Sequence, residues 1–164
     1  MVPGAYDRGM FRNLLTRLFS DDDPSSQPLG GMDGEVAVAA LMIRVARADD
    51  RYGEAERGRV EAILARRNGL THAQAVEQRA AAEMIEAEAP DTVRLTRTIK
   101  QRVPLEHRIG IISALWEVAL SDGERAPEEE AAVRLTAGLL GINDMESARA
   151  RQLAAVELGP GIAS

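Results

Sequence analysis

Apolar residues recur along most of this chain at the three-and-four spacing of an α-helix, and no run has the alternation and β-branched enrichment of a strand. Phe11, Leu14, Leu15 and Leu18 share one face of a short amphipathic helix from Met10 to Phe19, flanked by Arg12 and Arg17. Ser20-Asp21-Asp22-Asp23-Pro24 stops it, and the Pro, Ser, Gly and Asp that follow to Gly31 read as a flexible linker. The pattern then predicts a helix from Glu35 to Ala48, with Val38, Leu41, Met42 and Val45 inward, and a second from Glu54 to Arg67. Asn68-Gly69 ends the second in a left-handed turn. Thr71 and Gln74 open a third helix as a capping box, and Pro90 breaks it. Asp91 caps a short basic helix to Arg102. Pro104 suits the first position of the next helix, which carries Ile109, Ile112, Trp116 and Ala119 on one face and ends at Ser121-Asp122-Gly123. Pro127 opens another, closed by Gly141, and Asn143 with Glu146 caps a last helix to Ala154.

The two halves of this pattern match. Val45-Ala46-Arg47-Ala48-Asp49 aligns with Val118-Ala119-Leu120-Ser121-Asp122, which also sets Glu56 on Glu129 and Val60 on Val133. Each half reads as helix, acidic loop, helix, glycine stop and capped helix. The expected fold is therefore all-α, a helical bundle of two pseudo-repeated helix–loop–helix units with an amphipathic helix in front. Residues 1–33 are the helix and linker, 34–154 the helical domain and 155–164 a disordered tail.

Composition narrows the chemistry. The absence of cysteine excludes thiolate metal sites and thiol nucleophiles, so any bound cation is held by oxygen or by His72 or His107. A net charge of −6 and 3% aromatic residues argue against a nucleic-acid partner, which wants a basic surface or stacking platforms. Neither histidine sits in a His-Glu-x-x-His arrangement, and Ser113 lacks the glycines of a nucleophile elbow. Gly30-Gly31 is not followed by the Lys and Ser/Thr of a phosphate loop. No catalytic residue is assigned. Arg94, Arg97, Lys100 and Arg102 make one helix basic, and the ordinary reading is a solvated face paired with Glu83, Glu86, Glu88 and Asp91. No run is long and apolar enough for a membrane span, and the start lacks a secretory pattern, so the expected setting is the cytoplasm.

Ala48-Asp49-Asp50 with Glu56, and Ser121-Asp122-Gly123-Glu124 with Pro127-Glu128-Glu129-Glu130, resemble the paired acidic signatures of the TerB tellurite-resistance family over Glu35 to Gln152. That helical domain is also similar to the N-terminal domain of a membrane-anchored DnaJ-type co-chaperone. The resemblance implies a bacterial setting, cytoplasmic or peripheral to the inner membrane. It also implies that Asp49 and Glu56, with Asp122 and Glu129, gather carboxylates for a calcium-like divalent cation. The chain departs from the family in carrying Asp50 where a glycine is usual and Ala126 where a Ser, Thr or Asp cap is common. Counted from Asp122, the second loop is not an EF-hand, because Pro127 stands at position six and Val133 at position twelve. The competing reading of the same residues is structural: Glu56 and Glu129 fall near the third position of their helices, where a carboxylate caps backbone N–H groups. The capping reading is preferred, with weak cation binding on top of it left open.

Residues 10–19 have three readings: docking onto this bundle, docking into a protein partner, or contact with a membrane surface. The three aspartates that follow count against the last, since anionic lipid repels them and stable anchoring takes a second signal. The expected function is a non-enzymatic interaction or stress-response module with an unidentified protein partner. The alternatives are a metal-dependent enzyme with a joint carboxylate site, and a peripheral-membrane adaptor using residues 10–19.

Overall fold

The computed structural model describes residues 8–19, 31–89, 91–121 and 126–159. Among them the regular structure is all helical: α1 (Arg8–Phe19), α2 (Gly31–Ala46), α3 (Glu54–Asn68), α4 (His72–Glu88), α5 (Thr92–Arg102), α6 (Leu105–Leu120), α7 (Pro127–Leu139) and α8 (Asp144–Leu158). None of these helices is long and apolar enough to cross a membrane. The linker expected over residues 20–30 and the end of the tail lie outside the described residues.

The local signals work as their chemistry dictates. Thr71 Oγ1 accepts from the Gln74 N–H at 3.2 Å while Gln74 Oε1 accepts from the Thr71 N–H at 2.9 Å, a complete capping box. Asn143 and Glu146 repeat it at 2.8 and 3.0 Å. Asp91 Oδ1 accepts from the Arg94 N–H at 2.8 Å. Gly69 and Gly141 end α3 and α7 with φ of 65° and 75°, a left-handed conformation that a Cβ disfavours.

Several helix ends differ from the sequence reading. α2 starts at Gly31, ahead of Glu35, with Asp33 in its first turn against the positive helix end, and it stops at Ala46. Pro104 is the N-cap of α6 and not its first residue: its backbone is extended, and its carbonyl accepts from the N–H groups of His107 and Arg108, each at 3.0 Å. α8 continues past Ala154 to Leu158, where Arg66 Nη1 of α3 holds Glu157 Oε2 at 2.9 Å.

α2 and α6 form the centre. α2 packs chiefly on α4 and α6, and α6 chiefly on α8, α2 and α7. Residues 111–119 of α6 are all buried, and α2 is buried on almost every side from Val36 to Ala46. The alanines at 37, 39, 40 and 46 permit that, because small side chains let neighbouring helices approach around the whole circumference. Trp116 is core, as expected, and its Nε1–H donates to Ser147 Oγ at 3.1 Å. α1 packs on α5, and Leu14 is 2% exposed within the core, with Leu15 half-buried beside it. This is the docking onto the bundle that the apolar face allowed. The side chains of Phe11, Leu18 and Phe19 lie outside the described ones.

Charged side chains are buried as well, among them Glu117, Glu129 and Glu130. Glu117, in the last turn of α6, is fully buried. Its Oε1 pairs with Arg66, and its Oε2 sits 2.5 Å from Arg67 Nη1. Arg67 Nη2 also donates to the Gly110 carbonyl at 2.9 Å. Burial, and then the neighbouring Arg66 charge, lower the Arg67 pKa from its ordinary value. Removing one partner of a buried ion pair costs on the order of 3–5 kcal/mol. Glu117→Ala is therefore expected to lose about 3 kcal/mol in chemical denaturation. Arg66→Ala loses less, since Arg66 is 41% exposed and Arg67 remains on the carboxylate.

Candidate functional site

The first acidic loop joins α2 to α3. Asp49 Oδ1 accepts from the Arg51 N–H at 3.0 Å, a side-chain turn that closes the bend. Asp50 follows with φ 61°, the left-handed region. Asp50 therefore occupies a conformation that glycine takes without strain.

Tyr52 pins this loop to α4. Its hydroxyl donates to Glu83 Oε2 at 2.5 Å, and its ring lies beneath the guanidinium of Arg47, 4.8 Å from the centroid, with Arg57 at 5.7 Å. Burial, followed by the hydrogen bond and charge of Glu83, raises the Tyr52 pKa well above its ordinary value. Glu83 Oε1 also meets Arg79 Nη1 at 2.7 Å, and Arg79 Nε meets Glu61 at 2.9 Å. Glu86 pairs with Arg44 at 3.4 Å and Arg47 at 3.5 Å. Glu83 and Glu86 are thus taken up by α2, α3, α4 and the loop, and not by the basic residues of α5 as the sequence reading expected.

The candidate cation ligands separate by role. Glu56 Oε2 accepts from the Gly53 N–H at 2.8 Å and its Oε1 lies 3.8 Å from Arg59. The Gly53 N–H is the main reason its carboxyl is held below the ordinary range. Glu56 is a helix cap. Glu129 stands at the equivalent third position of α7 and is 6% exposed. Its neighbour Glu130, also buried, pairs with Arg151 of α8 at 3.0 Å. Asp122 lies outside the described residues. Among the described residues no three histidine, aspartate or glutamate side chains gather as a cation centre, so Asp49, Glu56 and Glu129 do not by themselves form one.

What the first loop can do chemically is display oxygens from a rigid base. Asp50 and Glu54 are exposed, and Asp49 keeps its second oxygen clear of any donor among the described residues. The residues that sequence reasoning passed over are Tyr52 and Arg79, the partners of Glu83. Their one signal was a tyrosine placed between acidic residues in a chain with few aromatics. His72 and His107 are both exposed.

A family model described as tellurite resistance protein TerB matches residues 35–152. No curated protein and no solved structure gives a significant match.

Two outcomes follow from the loop geometry. Asp50→Gly is expected to be more stable than Asp50→Ala by about 1 kcal/mol in thermal denaturation, because only the latter keeps a Cβ in the left-handed conformation. For Tyr52, the raised pKa means that the unfolded chain releases its phenolic proton first. The associated stability is intact below pH 10 and is lost as pH rises above it. An alkaline absorbance titration is expected to show a tyrosine ionising well above the ordinary range. That component disappears in Tyr52→Phe, together with its share of the alkaline loss of stability.

Proposed function

Since the chain belongs to the tellurite resistance protein TerB family, we propose that it acts as a non-enzymatic interaction and stress-response module that binds divalent cations weakly at its acidic loops. The observation that supports this reading is the Asp49–Glu56 loop. Its base is clamped by the Tyr52–Glu83 hydrogen bond, while Asp50 and Glu54 point their charge at solvent. Clamping lowers the ordering cost of recognition, because the loop need not lose freedom when a partner arrives.

Hard cations take six to eight oxygens, which a single short loop does not supply. Binding through Asp49, assisted by Asp50 and Glu54, is therefore weak and open to a partner's own oxygens. The sequence match between the two halves extends the proposal to Asp122 and to the start of α7. Glu56 and Glu129 serve there first as helix-end residues and only second as cation neighbours. A module of this kind responds to cation concentration by changing the charge it shows to its partner.

Calcium titration of the full chain followed by amide NMR tests the reading. Peaks of residues 49–56 and 122–130 are expected to shift at millimolar calcium, and the first set to stay still in an Asp49→Asn, Asp50→Asn double variant. No shift at millimolar calcium removes the cation part. Affinity capture from the native cytosol then tests the interaction part. A partner retained by the unmodified chain and lost with Asp50→Asn and Glu54→Gln supports it, and equal retention overturns the loop as the contact.

A further inference from the structure

Away from the acidic loop, the start of α2, the end of α3 and the first turns of α6 enclose an open groove of about 550 Å³. We infer that this groove docks an amphipathic segment of a partner protein that carries a lysine or arginine beside an aliphatic anchor. The inference rests on the interaction-module reading and names the chemistry of the partner.

The floor is apolar, made by Val38, Met42, Leu64, Ile111 and Ala114. Its volume lies within the range of pockets that hold a compact ligand, and it suits side-chain anchors presented at i and i+3 or i+4 by a helix. The rim carries two carboxylates, Glu35 and Glu106. Glu35 Oε1 accepts from Gln78 Nε2 at 2.9 Å, and Gln78 Oε1 accepts in turn from Asn68 Nδ2 at 2.8 Å. Gln78 is fully buried, so this chain of amides aims the Glu35 carboxylate without cancelling its charge. Among the described residues neither Glu35 nor Glu106 meets a cation.

Arg67 also lines the groove, but its guanidinium is committed to Glu117 and to the Gly110 carbonyl. Arg66 is shared between Glu117 and Glu157. Those two arginines face two carboxylates, and the charge left over at the groove is negative. An apolar floor under a negative rim is complemented by an apolar anchor next to a cation.

Gly110 supplies the sharpest test. It lies in the groove wall on α6, and a Cβ added there meets nothing within 4 Å. Gly110→Leu fills the groove without altering charge, and Gly110→Ala improves helix propensity while leaving the groove open. The probe is a labelled fourteen-residue peptide of leucine and lysine in helical amphipathic order, titrated against the full chain by fluorescence anisotropy. Its twin has glutamate for lysine.

The lysine peptide is expected to bind the unmodified chain and Gly110→Ala alike. Affinity drops at least tenfold in Glu35→Gln, Glu106→Gln and at least tenfold in Gly110→Leu, while the glutamate peptide binds none of them. Equal binding to Gly110→Leu, equal binding of the glutamate peptide, or no binding of the lysine peptide overturns the groove. Peptide-induced amide shifts confined to residues 49–56 also overturn it, while leaving the interaction-module reading intact. That reading fails separately, through the calcium and capture experiments on the loop.

Discussion

Glu117 is a carboxylate with no access to water, placed in the last turn of the helix around which the bundle is assembled. It is tolerable there only because Arg66 and Arg67 reach it together from α3, and Arg66 continues to Glu157 near the end of α8. A buried charge left without its partner costs several kcal/mol, so α3 has one acceptable position along α6. The surrounding interfaces are rich in alanine, and such surfaces slide more readily than interlocked large side chains. The ion pair therefore decides register where packing is permissive. It also shapes the nearby groove, because Arg67, held to Glu117 and to Gly110, cannot neutralise the groove's rim.

Arginine serves a second purpose in this molecule, closing helices that lack a glycine stop or need more than one. α4 ends at Ala89 without a left-handed residue, and Arg44 of α2 reaches across to it. Arg44 Nη2 donates to the carbonyls of Glu86 and Ala89 at 3.3 and 3.2 Å. Arg108 of α6 does the same for α7, donating to the Leu140 carbonyl at 2.5 Å beside Gly141. A cation at the carbonyl end of a helix is favoured by the helix dipole as well as by the hydrogen bonds. Each such contact also ties one helix to another, so capping and tertiary packing are the same interaction.

Acidic residues divide along similar lines. Glu56 is absorbed by the start of a helix, and Glu61, Glu83 and Glu86 are absorbed by arginines and Tyr52. The stretch from Asp49 to Glu54 stays on display, held from below, and Glu35 and Glu106 keep their charge at the groove.

Much of the architecture was legible in the residues alone. The helices, the glycine stops at Gly69 and Gly141, the caps at Thr71, Asp91 and Asn143, and the family signature are signals carried within a few positions, and local backbone chemistry reads them the same way in any surroundings. Glu56 as a cap belongs with them, since its partner is three residues away. The tertiary structure alone decided that α2 and α6 are enclosed on nearly all sides, that Glu117 loses all contact with water, and that Glu83 belongs to Tyr52 and Arg79. It alone placed Leu14 in the core and set Glu35 and Glu106 around one groove. These pairings join residues far apart in sequence, and a charge or an apolar face does not announce its partner until the chain has brought the two together and removed the water between them.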